Sequence, residues 1–174
     1  MLKGLESRNL IDHGLCIGID IETYVNRDLV QSFDEGLFLI ECIKHGVKID
    51  QYIDEEKQVI ELGKNKDLFE DIIQNDLYLE NFYWRNHSTE ELSYLIECLK
   101  NGQSEKIKFY KEYDLSLQEI NIYERLQKLY PDDTYKKELL LSKKYPIAIL
   151  YKLFNNQIGK EEADRLVSQY KKTP

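Results

Sequence analysis

Leu39-Ile40-Glu41-Cys42-Ile43-Lys44-His45-Gly46 and Leu95-Ile96-Glu97-Cys98-Leu99-Lys100-Asn101-Gly102 are nearly the same eight residues, 56 positions apart. Each is preceded by Ser with Glu three residues on: Ser32 with Glu35, and Ser88 with Glu91. That spacing is a capping box, in which the Ser hydroxyl accepts a first-turn N–H and the Glu reaches back to the cap residue. Each copy ends in Gly, the residue that tolerates positive φ beyond a helix C-terminus. Lys44 and Lys100 fall in the last turn, where the helix dipole favours a cation. Leu92, Leu95, Ile96 and Leu99 recur at i, i+3, i+4, i+7, one apolar stripe. Leu39, Ile40 and Ile43 repeat it less fully. Both stretches are predicted to be helices of a repeating chain.

The period halves. Gly18-Ile19-Asp20-Ile21-Glu22-Thr23-Tyr24-Val25 precedes Gly46-Val47-Lys48-Ile49-Asp50-Gln51-Tyr52-Ile53 by 28 positions, and both read Gly, apolar, polar, Ile, two polar, Tyr, apolar. Ser116 follows Ser88 by 28 and again has a Glu three later, Glu119. A third copy, Asp76 to Tyr83, keeps the apolar spacing with Phe82 in the Tyr place, but lacks the Gly and slips by two. Self-similarity at such a period marks a solenoid or array. The expected fold is all-α: a right-handed or irregular α-solenoid of five 28-residue helix–turn–short-helix repeats. The units would be 4–31, 32–59, 60–87, 88–115 and 116–143, with a helical C-terminal cap over 144–174, forming one domain.

The pattern of a helix ending in Gly, then apolar-Asp-apolar-x-x-Tyr, resembles helical-repeat proteins of bacterial mobile elements. Their units read approximately QM-x-x-I-R-x-G-L-x-x-G-[VIL]-D-[VI]-x-x-Y. Gly18, Ile19, Asp20, Ile21 and Tyr24 match in the first unit, and Ile40, Gly46, Val47, Ile49 and Tyr52 in the second. Lys48 stands where that pattern has Asp, and no Gln-Met pair opens a unit. The resemblance implies a repeat architecture and lends no activity.

Composition narrows the function. The 174 residues carry a formal net charge of −8, with 42% hydrophobic and 32% charged residues, and only 3 Pro and 8 Gly. Net acidity argues against unspecific binding to phosphate backbones and suits a basic protein partner. The start shows no apolar leader and no 18-residue apolar run occurs, so a cytoplasmic chain with no membrane association is expected. Cys16, Cys42 and Cys98 have no Cys-x-x-Cys spacing and are expected to be reduced packing residues.

Two local readings bear on chemistry. Residues 4–17 are predicted to be a helix with Leu5, Leu10, Ile11 and Leu15 on its apolar face. Leu15, Ile17, Ile19 and Ile21 nevertheless alternate as in a strand. A strand ending in Asp20-Ile21-Glu22 would put two carboxylates on one face, as in a metal-dependent nuclease. That is the alternative function, with Asp20 and Glu22 as its residues. The other stretch is aromatic: Tyr78, Phe82, Tyr83, Trp84, Arg85 and His87. Leu79 and Phe82 are expected in the core, and Tyr83, Trp84 and Arg85 are the candidate partner-binding residues.

His13, His45 and His87 lie in different units without a neighbouring ligand, so neither metal nor cofactor is expected. Gly63-Lys64-Asn65-Lys66 lacks the spacing of a phosphate loop. The Lys-rich, aromatic stretch 103–113 reads as a solvated amphipathic segment. Residues 147–154, the most apolar run, fit either a helix opened by Pro146 or a buried strand; 160–170 should be a charged last helix.

The leading expectation is a non-catalytic protein-binding module, of the inhibitor, immunity or anti-defence kind, acting on a basic partner. Self-association is the further option.

Overall fold

The computed structural model describes residue 2 and residues 4–170, so the last four residues of the expected C-terminal cap lie outside it. The chain is mostly helical. Its α-helices are α1 (Gly4–Cys16), α2 (Glu22–Asn26), α3 (Phe33–Lys44), α4 (Asn65–Gln74), α5 (Thr89–Lys100), α6 (Ser104–Glu112), α7 (Leu117–Leu129), α8 (Thr134–Leu141), α9 (Ile147–Phe154) and α10 (Lys160–Tyr170). Short 3-10 turns occupy Ile49–Tyr52 and Glu80–Phe82. Two strands of two residues each, β1 (Ile53–Asp54) and β2 (Val59–Ile60), pair antiparallel with Ile53 opposite Ile60.

The helix starts follow the capping chemistry. Ser88 and Ser116 complete full capping boxes with Glu91 and Glu119. Ser32 accepts the Glu35 N–H, while the Glu35 carboxylate takes the N–H of Gln31 instead of that of Ser32. Residues 147–154 are helical. Pro146 sits at the cap, and its carbonyl accepts the N–H groups of Ile149 and Leu150.

The helix ends recur more strongly than the sequence does. After α1, α3, α4, α5 and α9 the backbone turns left-handed at Gly18, Gly46, Asp76, Gly102 and Asn156. At each, two hydrogen bonds close the end: one from the left-handed residue to the carbonyl three back, one from the next residue to the carbonyl five back. Gly46 N to Ile43 O and Val47 N to Cys42 O are one such pair; Asp76 N to Ile73 O and Leu77 N to Ile72 O are another. This is the Schellman closure, which satisfies carbonyls that the helix leaves open. Asp76 takes the glycine's part in the third copy, two positions later than strict spacing, as the slipped alignment requires.

The same closure ends the short α2, at Asp28, through Asp28 N to Val25 O and Leu29 N to Tyr24 O.

The chain forms two compact units, residues 1–111 and 112–174. In the first, α1 packs on α3, α3 on α4, and α4 on α5. Its core holds Leu10, Ile21, Leu39, Ile40, Ile49, Phe69, Ile72, Leu79, Leu92 and Ile96. The matching repeat positions Leu39 and Leu95, Ile40 and Ile96, Cys42 and Cys98 are all buried. Burial pushes the Cys42 thiol up to about 12, so it stays protonated. In the second unit α7, α8, α9 and α10 pack in sequence around Leu126, Leu140, Ile149, Leu150, Ala163 and Val167. Residues 1–111 hold 13 Lys and Arg against 22 Asp and Glu; residues 112–174 hold 11 against 10. The chain's acidity therefore belongs to the first unit.

Two expectations need correction. Helix α1 buries Leu10 and Gly14, whereas Leu5 and Leu15 face solvent. Gly36 explains which face turns inward: a Cβ there would lie 2.1 Å from Leu10 Cδ2, so the missing side chain lets α3 close on that side of α1. Cys16 is exposed, unlike Cys42 and Cys98. The polar run 54–58 makes the β1–β2 hairpin turn, with Gln58 left-handed and the Asp54 carboxylate accepting the N–H groups of Glu56 and Lys57.

Gly46 and Gly102 are equivalent positions with unequal surroundings. Both have positive φ, but a Cβ on Gly46 would meet the Glu80 nitrogen at 2.4 Å, and one on Gly102 would meet nothing within 4 Å. Gly102→Ala should cost about 1–2 kcal/mol from left-handed strain alone. Gly46→Ala should cost about 3 kcal/mol or more, because backbone must also move. Urea unfolding of the two variants checks the order; equal losses would contradict it.

Candidate functional site

The aromatic stretch lies between the 3-10 turn Glu80–Phe82 and the start of α5. Leu79 and Phe82 are buried, as expected. Tyr83 is buried too, at 1% exposure. Its hydroxyl lies 2.5 Å from that of Tyr52, whose ring stands edge-on to Phe69. Burial, then the neighbouring Tyr52, hold the Tyr83 hydroxyl far above the usual phenol range. Tyr83 is thus a core residue and not a surface for a partner.

Trp84 and Arg85 are half-buried. Arg85 Nη2 donates to Glu91 Oε1 at 2.9 Å, and its guanidinium lies 6.0 Å from the Trp84 ring. Glu91 is only 14% exposed and also accepts the Ser88 N–H within the α5 capping box. So Arg85 ties the aromatic stretch to the helix that follows it. His87 packs edge-on to Trp84 with centroids 4.6 Å apart. Its side chain is 2% exposed and its Nδ1 lies 3.4 Å from Glu91 Oε2. Burial first, and the Arg85 charge second, hold its pKa below the ordinary 6.5. At neutral pH the ring is uncharged. The cluster can fix the local backbone, with Trp84 half-buried against the group of Phe82, Leu95, Cys98 and Ile107; it brings together no nucleophile and base.

The other histidines are structural or peripheral. His45 is buried, and its Nδ1 lies 2.7 Å from the Leu77 carbonyl. A carbonyl only accepts, so Nδ1 carries the proton. The His45 carbonyl in turn accepts the Leu79 N–H, which ties the α3 turn to the third copy. His13 is exposed.

Asp20 and Glu22 are not on a strand. Residues 17–18 form a turn, 19–21 are irregular, and the Asp20 carboxylate accepts the N–H of Glu22 at 2.9 Å, opening α2. Among the described residues, no three His, Cys, Asp or Glu side chains gather so as to hold a metal ion.

A second candidate site was not foreseen. The start of α3, strand β2 with the loop after it, and α4 enclose a cleft of about 700 Å³. Asp34 and Glu35 contribute from the first turn of α3, Glu61 follows β2, and Glu70 comes from α4. Phe38 supplies a half-buried aromatic wall, with Lys66 Nζ 5.9 Å from its ring centroid. Glu61 is paired with Lys57 at 2.7 Å, which leaves Asp34, Glu35 and Glu70 against the Lys66 ammonium, an excess that repels a phosphate and attracts a cation. The Gly63 loop, with positive φ, forms one rim. The spacing hid this site: its carboxylates come from three segments that share no motif. Glu35 alone carried a signal, and it read as a cap.

No protein-family model, curated protein or solved structure matches this chain. Among the described residues, no helix is long and apolar enough to cross a membrane.

His87 gives a pH test of the aromatic cluster. Its folded pKa is depressed, so the unfolded chain binds the proton first. Its contribution to stability is intact above about 6.5 and is lost as pH falls from there towards the folded value. Urea midpoints should decline between pH 7 and 5.5, and His87→Gln should flatten that decline. An unchanged slope in the variant would place the titration elsewhere.

Proposed function

We propose that the chain is a non-catalytic protein-binding module built of stacked helical repeats, and that it holds a basic segment of another protein in the acidic cleft of residues 1–111. The cleft carries the reading. It is concave, has an aromatic wall, and sets Asp34, Glu35 and Glu70 against Lys66, with Glu61 paired to Lys57 at its rim. An Arg or Lys side chain would lay its stem on Phe38 and its charge among Asp34, Glu61 and Glu70. The surplus of acid in the first unit would add long-range attraction and speed encounter.

Repeat stacking is supported by the left-handed closures at Gly18, Gly46, Asp76 and Gly102, and by the sequential packing of α1, α3, α4 and α5. That arrangement fits the resemblance to helical-repeat proteins of mobile elements. It also suits an inhibitor that covers a basic surface, such as that of a nucleic-acid-handling protein. Trp84 and Arg85 would then be a secondary contact, with Tyr83 supporting them from the core.

The test is affinity capture with the full chain, followed by titration of the identified partner. Asp34→Asn, Glu61→Gln and Glu70→Gln together should weaken a basic partner by about 10-fold or more, mainly through slower association and a flatter salt dependence. Glu35 is left intact because its carboxylate holds the Gln31 N–H. Unchanged affinity in the triple variant would remove the cleft from the account.

A further inference from the structure

The aromatic wall of the acidic cleft already carries a cation of the chain itself. Lys66 is exposed, and its Nζ lies 5.9 Å from the Phe38 ring centroid. At that range an ammonium is attracted by the negative face of the ring. Lys66 is the second residue of α4, and Glu70 stands one turn further along the same helix and lines the same cleft. Yet the two form no ion pair, and neither pairs with any other described residue. Lysine followed by glutamate at i,i+4 is the weaker order for such a pair, and the helix dipole disfavours an ammonium in the first turn. Among the described residues, the Phe38 ring is therefore what holds the Lys66 ammonium.

The carboxylates of the cleft are not equally available. Glu61 faces Lys57, and Glu35 accepts the Gln31 N–H. Asp34 on α3 and Glu70 on α4 have no hydrogen-bond or ion-pair partner among the described residues. A cation entering the cleft thus meets two unpaired carboxylates, but it must take the ring from Lys66. A lysine would exchange one ammonium for another at the ring and gain nothing there. A guanidinium is planar, weakly hydrated and carries five donors, so it can stack on the ring and still donate to a carboxylate from its edge.

We infer that the cleft selects arginine over lysine, with Lys66 as the internal cation that an incoming guanidinium displaces from Phe38. This rests on reading the cleft as the seat of a basic segment, and it adds the residue type that the segment presents. The two residues have separate parts. Phe38 sets the preference for arginine. Lys66 is a built-in competitor: the more firmly position 66 holds the ring, the weaker every basic ligand binds, by the same factor for arginine and lysine.

An NMR titration of the isotope-labelled full chain at low salt tests this. The probes are two blocked heptapeptides, Gly-Arg-Gly-Arg-Gly-Arg-Gly and its lysine counterpart, followed by the amide shifts of residues 32–38 and 60–70. The arginine peptide should bind about 3-fold or more tightly than the lysine peptide. Lys66→Gln should tighten both peptides. Lys66→Arg keeps the charge but holds the ring more firmly, and should weaken both by about 2-fold. In Phe38→Leu the arginine preference should vanish, and adding Lys66→Arg should change nothing further. Lys66 is exposed, so its variants should keep the fold, which circular dichroism checks. Equal affinities of the two peptides for the wild type, or no effect of Lys66→Arg, would overturn this inference and leave the cleft as a site for basic segments of either kind. No shift of the cleft residues with either peptide, or binding that Asp34→Asn with Glu70→Gln leaves unchanged, would overturn the cleft reading and this inference with it.

Discussion

One backbone event recurs at the end of each main helix of the first unit, and the rest of that unit depends on it. A residue goes left-handed, two N–H groups turn back onto the helix, and the chain leaves in a fixed direction. Leu39 and Leu95 are both buried, as are Cys42 and Cys98, although the members of each pair belong to different apolar clusters. Glycine makes this turn at least cost, but the chain does not rely on it alone. Asp76 and Asn156 adopt the same conformation, and their short polar side chains tolerate it better than most. That tolerance lets the same closure form where the chain has no glycine.

Where local chemistry decided the outcome, the sequence was readable. Ser88 and Glu91, Ser116 and Glu119 marked helix starts that the structure closes as capping boxes. Leu92, Leu95 and Ile96 marked a face that is buried. Where tertiary context decided, it was not. Leu5 and Leu15 lie across α1 from Leu10, and the neighbouring Gly36 shows that α3 covers the Leu10 side. Tyr83 reads like Trp84 in the chain, yet its hydroxyl finds Tyr52, 31 residues away, and goes inside. The β1–β2 hairpin is too short to show alternation, so its polar turn masked it.

The acidic cleft was the largest omission, for a physical reason. Net charge was known from composition, but a charge acts from where the fold puts it. Asp34, Glu61 and Glu70 sit in a first helical turn, a strand exit and a helix, and become one site only when α3, β2 and α4 assemble. Dividing the sequence at residue 111 would have revealed part of this, since the acid excess falls wholly before it. The aromatic stretch then takes a different part from the one its composition suggests. Through Arg85, Glu91 and Ser88 it anchors the start of α5.

The central claim is that a basic partner occupies the cleft beside Phe38. Hydrogen–deuterium exchange on the full chain, free and saturated with the captured partner, tests it most directly. The account predicts added protection in residues 32–38 and 60–70, with α9 and α10 unchanged. Protection confined to residues 83–86, or none in the first unit, would contradict it.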